Sequence, residues 1–180
     1  MVFVNTLFGC LATVNERYSF EPLWQPAFLS KLSAEDRCHL NGLAMDQGQP
    51  RCVTVCSQSD LVGGWRQHWV SGGCVVDVPT SEIICEGLSM PHSPRFYRDR
   101  LWLLDSGSDH FGYVDIESGK LEPITFCPGY ARGLAFRDNY AVVGLSKCRQ
   151  ERTFSVLPLE ENLSLRKGIA RCGTSQIAGI

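Results

Sequence analysis

Residues 72–88 read GGCVVDVPTSEIICEGL and residues 110–126 read HFGYVDIESGKLEPITF. Each is a short apolar run, an Asp, a tight polar turn and a second apolar run. Asp77 and Asp115 hold the same place in the two segments. An Asp entering a turn accepts hydrogen bonds from the turn's own N–H groups, so the two stretches read as hairpins of one design. The residues upstream repeat as well. HLNGLAMDQGQPRCVTVCS from His39, HSPRFYRDRLWLLDSG from His92 and ARGLAFRDNYAVVGLS from Ala131 share one layout. Each has a polar start, a Gly or Pro, a short apolar strand, a polar turn and a second strand. Aligning Gly42, Pro94 and Gly133 gives spacings of 52 and 39 residues. Four short strands repeated every 40–50 residues or so are the pattern of a β-propeller blade.

The sequence therefore predicts an all-β fold, a partial β-propeller of about three four-stranded blades with the third incomplete. A single domain spans 1–180, with a leading segment over 1–38, blade one over 39–90, blade two over 91–130 and the incomplete blade three over 131–180. Helical periodicity is scarce. LSAEDRCHL (32–40) suits one helical turn with Ser33 and Asp36 as a capping pair, and LEENLSLRKG (159–168) suits a short helix ending at Gly168. Two long connections interrupt the repeat, SQSDLVGGWRQHWVSGG (57–73) and KCRQERTFSVLPLEENLSLRKGIAR (147–171). Long loops inside a compact repeat carry function or disorder. After IARCG (169–173) the expected third strand is replaced by TSQIAGI. A propeller closes with about four to eight blades, so three leave open edges, and self-association through them is expected.

Composition narrows the function classes. The chain is 44% hydrophobic and 20% charged, with a formal net charge of -2. No strong field favours nucleic acid or an anionic membrane. The first apolar stretch lacks a basic flank and is broken by Asn5, Thr6 and Gly9, so it reads as neither a signal peptide nor a membrane span. None of the nine Cys forms a CxxC pair, and several lie inside apolar strands. They read as reduced, buried thiols, and the expected location is cytoplasmic.

The candidate site residues fall at the blade starts. In a propeller the innermost strand lines the central channel, and polar groups from successive blades converge there. His39, Asn41, His92, Ser93, Arg95, Arg132 and, near the channel mouth, Asp105 are the ligand-binding candidates. The same side chains would equally serve by hydrogen-bonding neighbouring blades. Trp65, Arg66 and Trp69 in the first long connection suit an interaction loop, or a cap over an apolar groove between blades. Metal ligands are not expected, because DSGSDHFGYVD (105–115) lacks the alternating spacing of a calcium loop. Nor is a triad expected. Ser93 and His92 are strand neighbours whose side chains point to opposite faces, and Cys38 beside His39 fails for the same reason.

Longer stretches carry a resemblance. NERYSFEPLWQPAFLSKLSAEDRCHLNGLAM (15–45), GGWR (63–66), GLSMPHSPRFYRDRLWLLDSG (87–107) and PGYARGLAF (128–136), followed by VGLS and RTFSVLPL, resemble a bacterial family of uncharacterised proteins, the domain of unknown function 4915. The resemblance covers about residues 5–172. It implies a propeller-like β protein, longer than this chain, with no activity, cofactor or catalytic residue to carry over. The sequence departs from the family after Gly173, which makes C-terminal truncation an expectation. The functional expectation is a non-catalytic module for a small-molecule or protein ligand, cofactor unknown. The competing expectation is a small-molecule hydrolase or lyase, like a metal-dependent lactonase, that uses Asn41 and Asp105 at the channel mouth.

Overall fold

Alternating apolar residues and paired polar turns build short antiparallel strands along the chain. The computed structural model describes residues 1–146 and 175–180. Its strands are β1 (Phe3–Asn5), β2 (Cys10–Thr13), β3 (Glu21–Trp24), β4 (Leu40–Asp46), β5 (Gln49–Val55), β6 (Gly73–Asp77) and β7 (Ile83–Leu88). They continue with β8 (Pro91–Tyr97), β9 (Arg100–Asp105), β10 (His110–Asp115), β11 (Lys120–Phe126), β12 (Tyr130–Arg137), β13 (Tyr140–Ser146) and β14 (Ser175–Gly179). The fold is all-β. Among the described residues the strands form four antiparallel sheets, β1–β3, β4–β7, β8–β11 and β12–β14, each in simple up-and-down order. This arrangement fits a partial propeller.

Residues 1–38, read from sequence as a leading segment, contain the three-stranded β1–β3 sheet. The stretch 32–40 forms no helical turn. Asp36 and His39 take positive φ values of 44° and 52°, which break a helix, and the Asp36 carboxylate is used elsewhere. The second helix and the connection over 147–171 lie outside the described residues, apart from its flanking strands β13 and β14, which pair with each other.

The turn chemistry follows the sequence reading. Asp77 accepts hydrogen bonds from Thr80 N (3.1 Å) and Thr80 Oγ1 (2.8 Å). Asp115 accepts from Glu117 N (3.1 Å) and Ser118 Oγ (2.6 Å). The repeat also shows in the register. β4 bulges between Leu40 and Gly42, β8 between His92 and Arg95, and β12 between Ala131 and Leu134. Asn41, Ser93 and Arg132 occupy the equivalent bulged position, immediately before Gly42, Pro94 and Gly133. A bulge twists its strand and re-aims the side chains on either side of it.

The first strands of successive sheets lie side by side, β1 against β4, β4 against β8 and β8 against β12. Between the sheets lie three apolar layers. Leu11, Leu40, Val53 and Val76 join the first two sheets. Val75, Leu88, Leu101 and Val114 join the second and third. Leu104, Phe111, Leu134 and Val143 join the third and fourth, with aromatic stacking of Trp102 on Phe111 (5.1 Å) and of Tyr97 on Phe136 (4.5 Å). The seven described Cys are all buried free thiols, and burial pushes those at Cys38, Cys52, Cys56 and Cys74 up to about 12, which keeps them protonated.

The sheets approach most closely at glycines. A Cβ on Gly42 would run into the Pro94 ring and the Thr54 hydroxyl, and one on Gly73 into Pro91 and the Leu88 carbonyl. Gly42→Ala should therefore destabilise the protein by about 1–3 kcal/mol through overpacking. Phe111→Ala, which empties a wholly buried position, should cost about 3–5 kcal/mol. Urea denaturation monitored by circular dichroism checks both, and an unchanged midpoint for Gly42→Ala would refute the close approach.

Candidate functional site

The side-by-side first strands present one common surface, and the bulges divide it. Before the bulges lie His39, His92 and the approach to Arg132; after them lie Leu43, Met45, Arg95 and Phe96.

His92 sits on β8, paired with Leu104, and is only 6% exposed. Its Nε2 is buried and makes no hydrogen bond. Burial, then the charges of Arg132 and His39, lowers its pKa to about 3, so the ring is neutral at ordinary pH. The strand register separates the two histidines that the sequence had grouped. His92 is equivalent to Leu40, one place beyond His39, and Ala131 fills the same place on β12. His39 stands just outside β4, stacked on Trp65 at 4.2 Å, with Nδ1 3.0 Å from Asp36 Oδ1.

Four of the candidate residues are engaged in holding the fold. Asn41 Oδ1 accepts from Thr54 Oγ1 (2.7 Å), and its amide donates to Cys56 Sγ (3.3 Å), so the side chain bridges β4 to β5. Ser93 Oγ accepts from Gly133 N (3.1 Å) and ties the third sheet to the fourth. Arg95 Nη1 donates to Pro94 O (2.7 Å) and Leu43 O (3.3 Å), tying the third sheet to the second. Asp105 is buried at the end of β9, where Oδ1 accepts from Ser89 N at 2.7 Å. Gly107 N donates to Ser89 O at 2.8 Å beside it, so the turn after β9 clamps the link from β7 to β8. Burial raises the Asp105 carboxyl to about 6 against the pull of its hydrogen bonds from Ser108 and Ser89. Arg132 is exposed, and the Ser93–Gly133 bond holds its backbone against β8.

The long connection after β5 folds inward. A short 3-10 helix over Gly64–Gln67 buries Trp65 (5% exposed), and Trp69 (8%) follows it. Both pack with Cys56, Met90 and Tyr130. The expected contact surface is thus reduced to Arg66, which lies over the Trp65 ring at 4.5 Å. Asp36, expected only as a helix cap, anchors this cover. Its Oδ2 accepts from Trp65 Nε1 at 2.9 Å and lies 3.7 Å from Arg66 Nη2. Burial works to raise the Asp36 pKa, but hydrogen bonds from His39 and Trp65, with the charges of His39 and Arg66, bring it below the usual carboxylate value. An acidic residue 29 positions before its Trp partner leaves no local pattern to find.

A model of the DUF4915 family, described as a domain of unknown function, matches residues 1–178. The chain belongs to the DUF4915 family. No curated protein matches this DUF4915 chain. Among solved structures it is similar to the crystal structure of the computationally designed Ika8 protein. That likeness has a TM-score of 0.40 and 15% identity, covering 80% of this chain and 41% of that one. The DUF4915 chain thus spans less than half the length of the designed protein. Among the described residues no helix is long and apolar enough to cross a membrane. Nor do three His, Cys, Asp or Glu side chains gather there to hold a metal ion.

The buried groups set a pH dependence. His92 is lowered from its unfolded value near 6.5 to about 3, so its contribution is full above about pH 6.5 and lost as pH falls toward 3. Asp105, raised to about 6, acts with the opposite sign, contributing below its unfolded value near 3.9 and losing that contribution as pH rises through 6. His92→Gln removes the first term. Its stability relative to the unsubstituted protein should rise steadily as pH is lowered from 6.5 to 4, measured by urea unfolding at each pH. A pH-independent difference would show that His92 does not resist protonation.

Proposed function

We propose that this DUF4915 chain is a non-catalytic ligand-binding module that receives a polar group of a small molecule at the pre-bulge end of its first strands. The observation that supports this reading is His92. A buried imidazole nitrogen with no hydrogen-bond partner is costly unless something supplies one. A ligand oxygen would satisfy it, with the exposed Arg132 adding positive charge nearby. The inward-folded cover of Trp65 and Trp69 supplies the rigid apolar wall that such sites combine with a few polar groups. For a metal-dependent hydrolase, Asn41 and Asp105 would first have to leave Thr54, Cys56 and Ser89.

Thermal-shift screening of the purified chain with small carboxylates, phosphates and sugars tests the proposal. At least one class should raise the melting temperature, and His92→Ala and Arg132→Ala should each abolish that rise. A ligand whose effect survives both substitutions would overturn the assignment. Turnover of a lactone that required a divalent metal and Asp105 would replace it with the hydrolase reading.

A further inference from the structure

The post-bulge half of the same strands has a different chemistry. A groove of about 560 Å³ runs between β1, β4 and β8, walled by Val2, Phe3, Leu43, Met45 and Phe96, with Arg95 as its charged residue. We infer that this groove is a second binding site, for a small molecule that joins an apolar body to a single carboxylate.

Three features support this. The volume lies within the range of roughly 300–1,000 Å³ usual for small-molecule sites, and the lining side chains other than Arg95 are hydrocarbon, thioether or aromatic. Met45 remains 41% exposed although Leu43 and Ala44 before it on β4 are better covered, so the sheets alone do not fill the space. The third feature is charge complementarity. Among the described residues no Asp or Glu pairs with Arg95, whereas Arg37, Arg51 and Arg66 each have a carboxylate partner. The Arg95 guanidinium is held through Nη1 by Leu43 O and Pro94 O, and among the described residues its Nε and Nη2 donors have no hydrogen-bond partner. A planar fork fixed at one corner suits two-point recognition of a carboxylate. One cation on an apolar wall balances one negative charge, which favours a monocarboxylate over a phosphate dianion.

The experiment is titration calorimetry on the full chain with octanoate and 2-naphthoate as probes, and with 1-octanol and acetate as the apolar and charged halves alone. At least one of the two carboxylates should bind, and tenfold or more tighter than either half. Arg95→Met should cost that carboxylate at least tenfold while leaving octanol unchanged. Met45→Glu, at an exposed strand position, should leave the urea midpoint nearly unchanged and abolish binding of both probes. His92→Ala should leave these affinities alone, so loss of the pre-bulge site and loss of this one are separately visible. Failure of both carboxylates to bind, octanol binding as tightly as octanoate, or undiminished binding by Arg95→Met would each overturn the inference.

Discussion

The packing of the sheets depends on the seating of Gly42 against the Pro94 ring. Each sheet carries an apolar face that is stable only when another sheet covers it. The first strands must therefore approach closely enough for those faces to interleave. β4 and β8 reach that distance because Gly42 lacks a side chain where Pro94 projects, and Gly73, the first residue of β6, repeats the arrangement against Pro91. Leu40 and Val53 can then meet the first sheet while Ala44 and Leu101 meet on the other side. Directional ties fix the relative position of the sheets, among them Ser93 to Gly133, Arg95 to Leu43, Tyr97 to Asp138 and Trp24 to Ser81. Apolar contact supplies most of the stability, since burial is non-directional and roughly proportional to area. These few hydrogen bonds select one registry among the packings that burial alone would accept.

What the sequence could reveal followed the range of the interactions. Asp77 and Asp115 were readable because their partners lie within four residues and turn chemistry is local. The repeat was readable because Gly42, Pro94 and Gly133 mark a common bulge. The β1–β3 sheet escaped notice because its strands are three or four residues long and too short to show alternation. The equivalence of His39 and His92 failed by one residue. His39 stands three places before Gly42, whereas His92 stands two before Pro94, and a shift of one place along a strand reverses the face. The side chains of Asn41, Ser93, Arg95 and Asp105 were identifiable as polar but not as ties between strands, because the strand or sheet each one reaches lies 13 or more residues away. Asp36 read only as a capping partner of Ser33, because its actual partner Trp65 lies 29 residues on and meets it only in the fold.

The bulges give the common strand surface its two characters. Without them, strict alternation would place every second residue of β4 and β8 toward the same space, mixing polar and apolar side chains along its length. One extra residue in each strand resets that alternation. Upstream of the reset lie His92 and Arg132, and burial holds His92 neutral and makes its unmatched nitrogen expensive. Downstream, the same strands turn Leu43, Met45 and Phe96 toward the space beside β1, with Arg95 anchored to the backbone at the boundary. The single-residue insertion shared by β4, β8 and β12 is thus the feature that separates a polar end from an apolar groove.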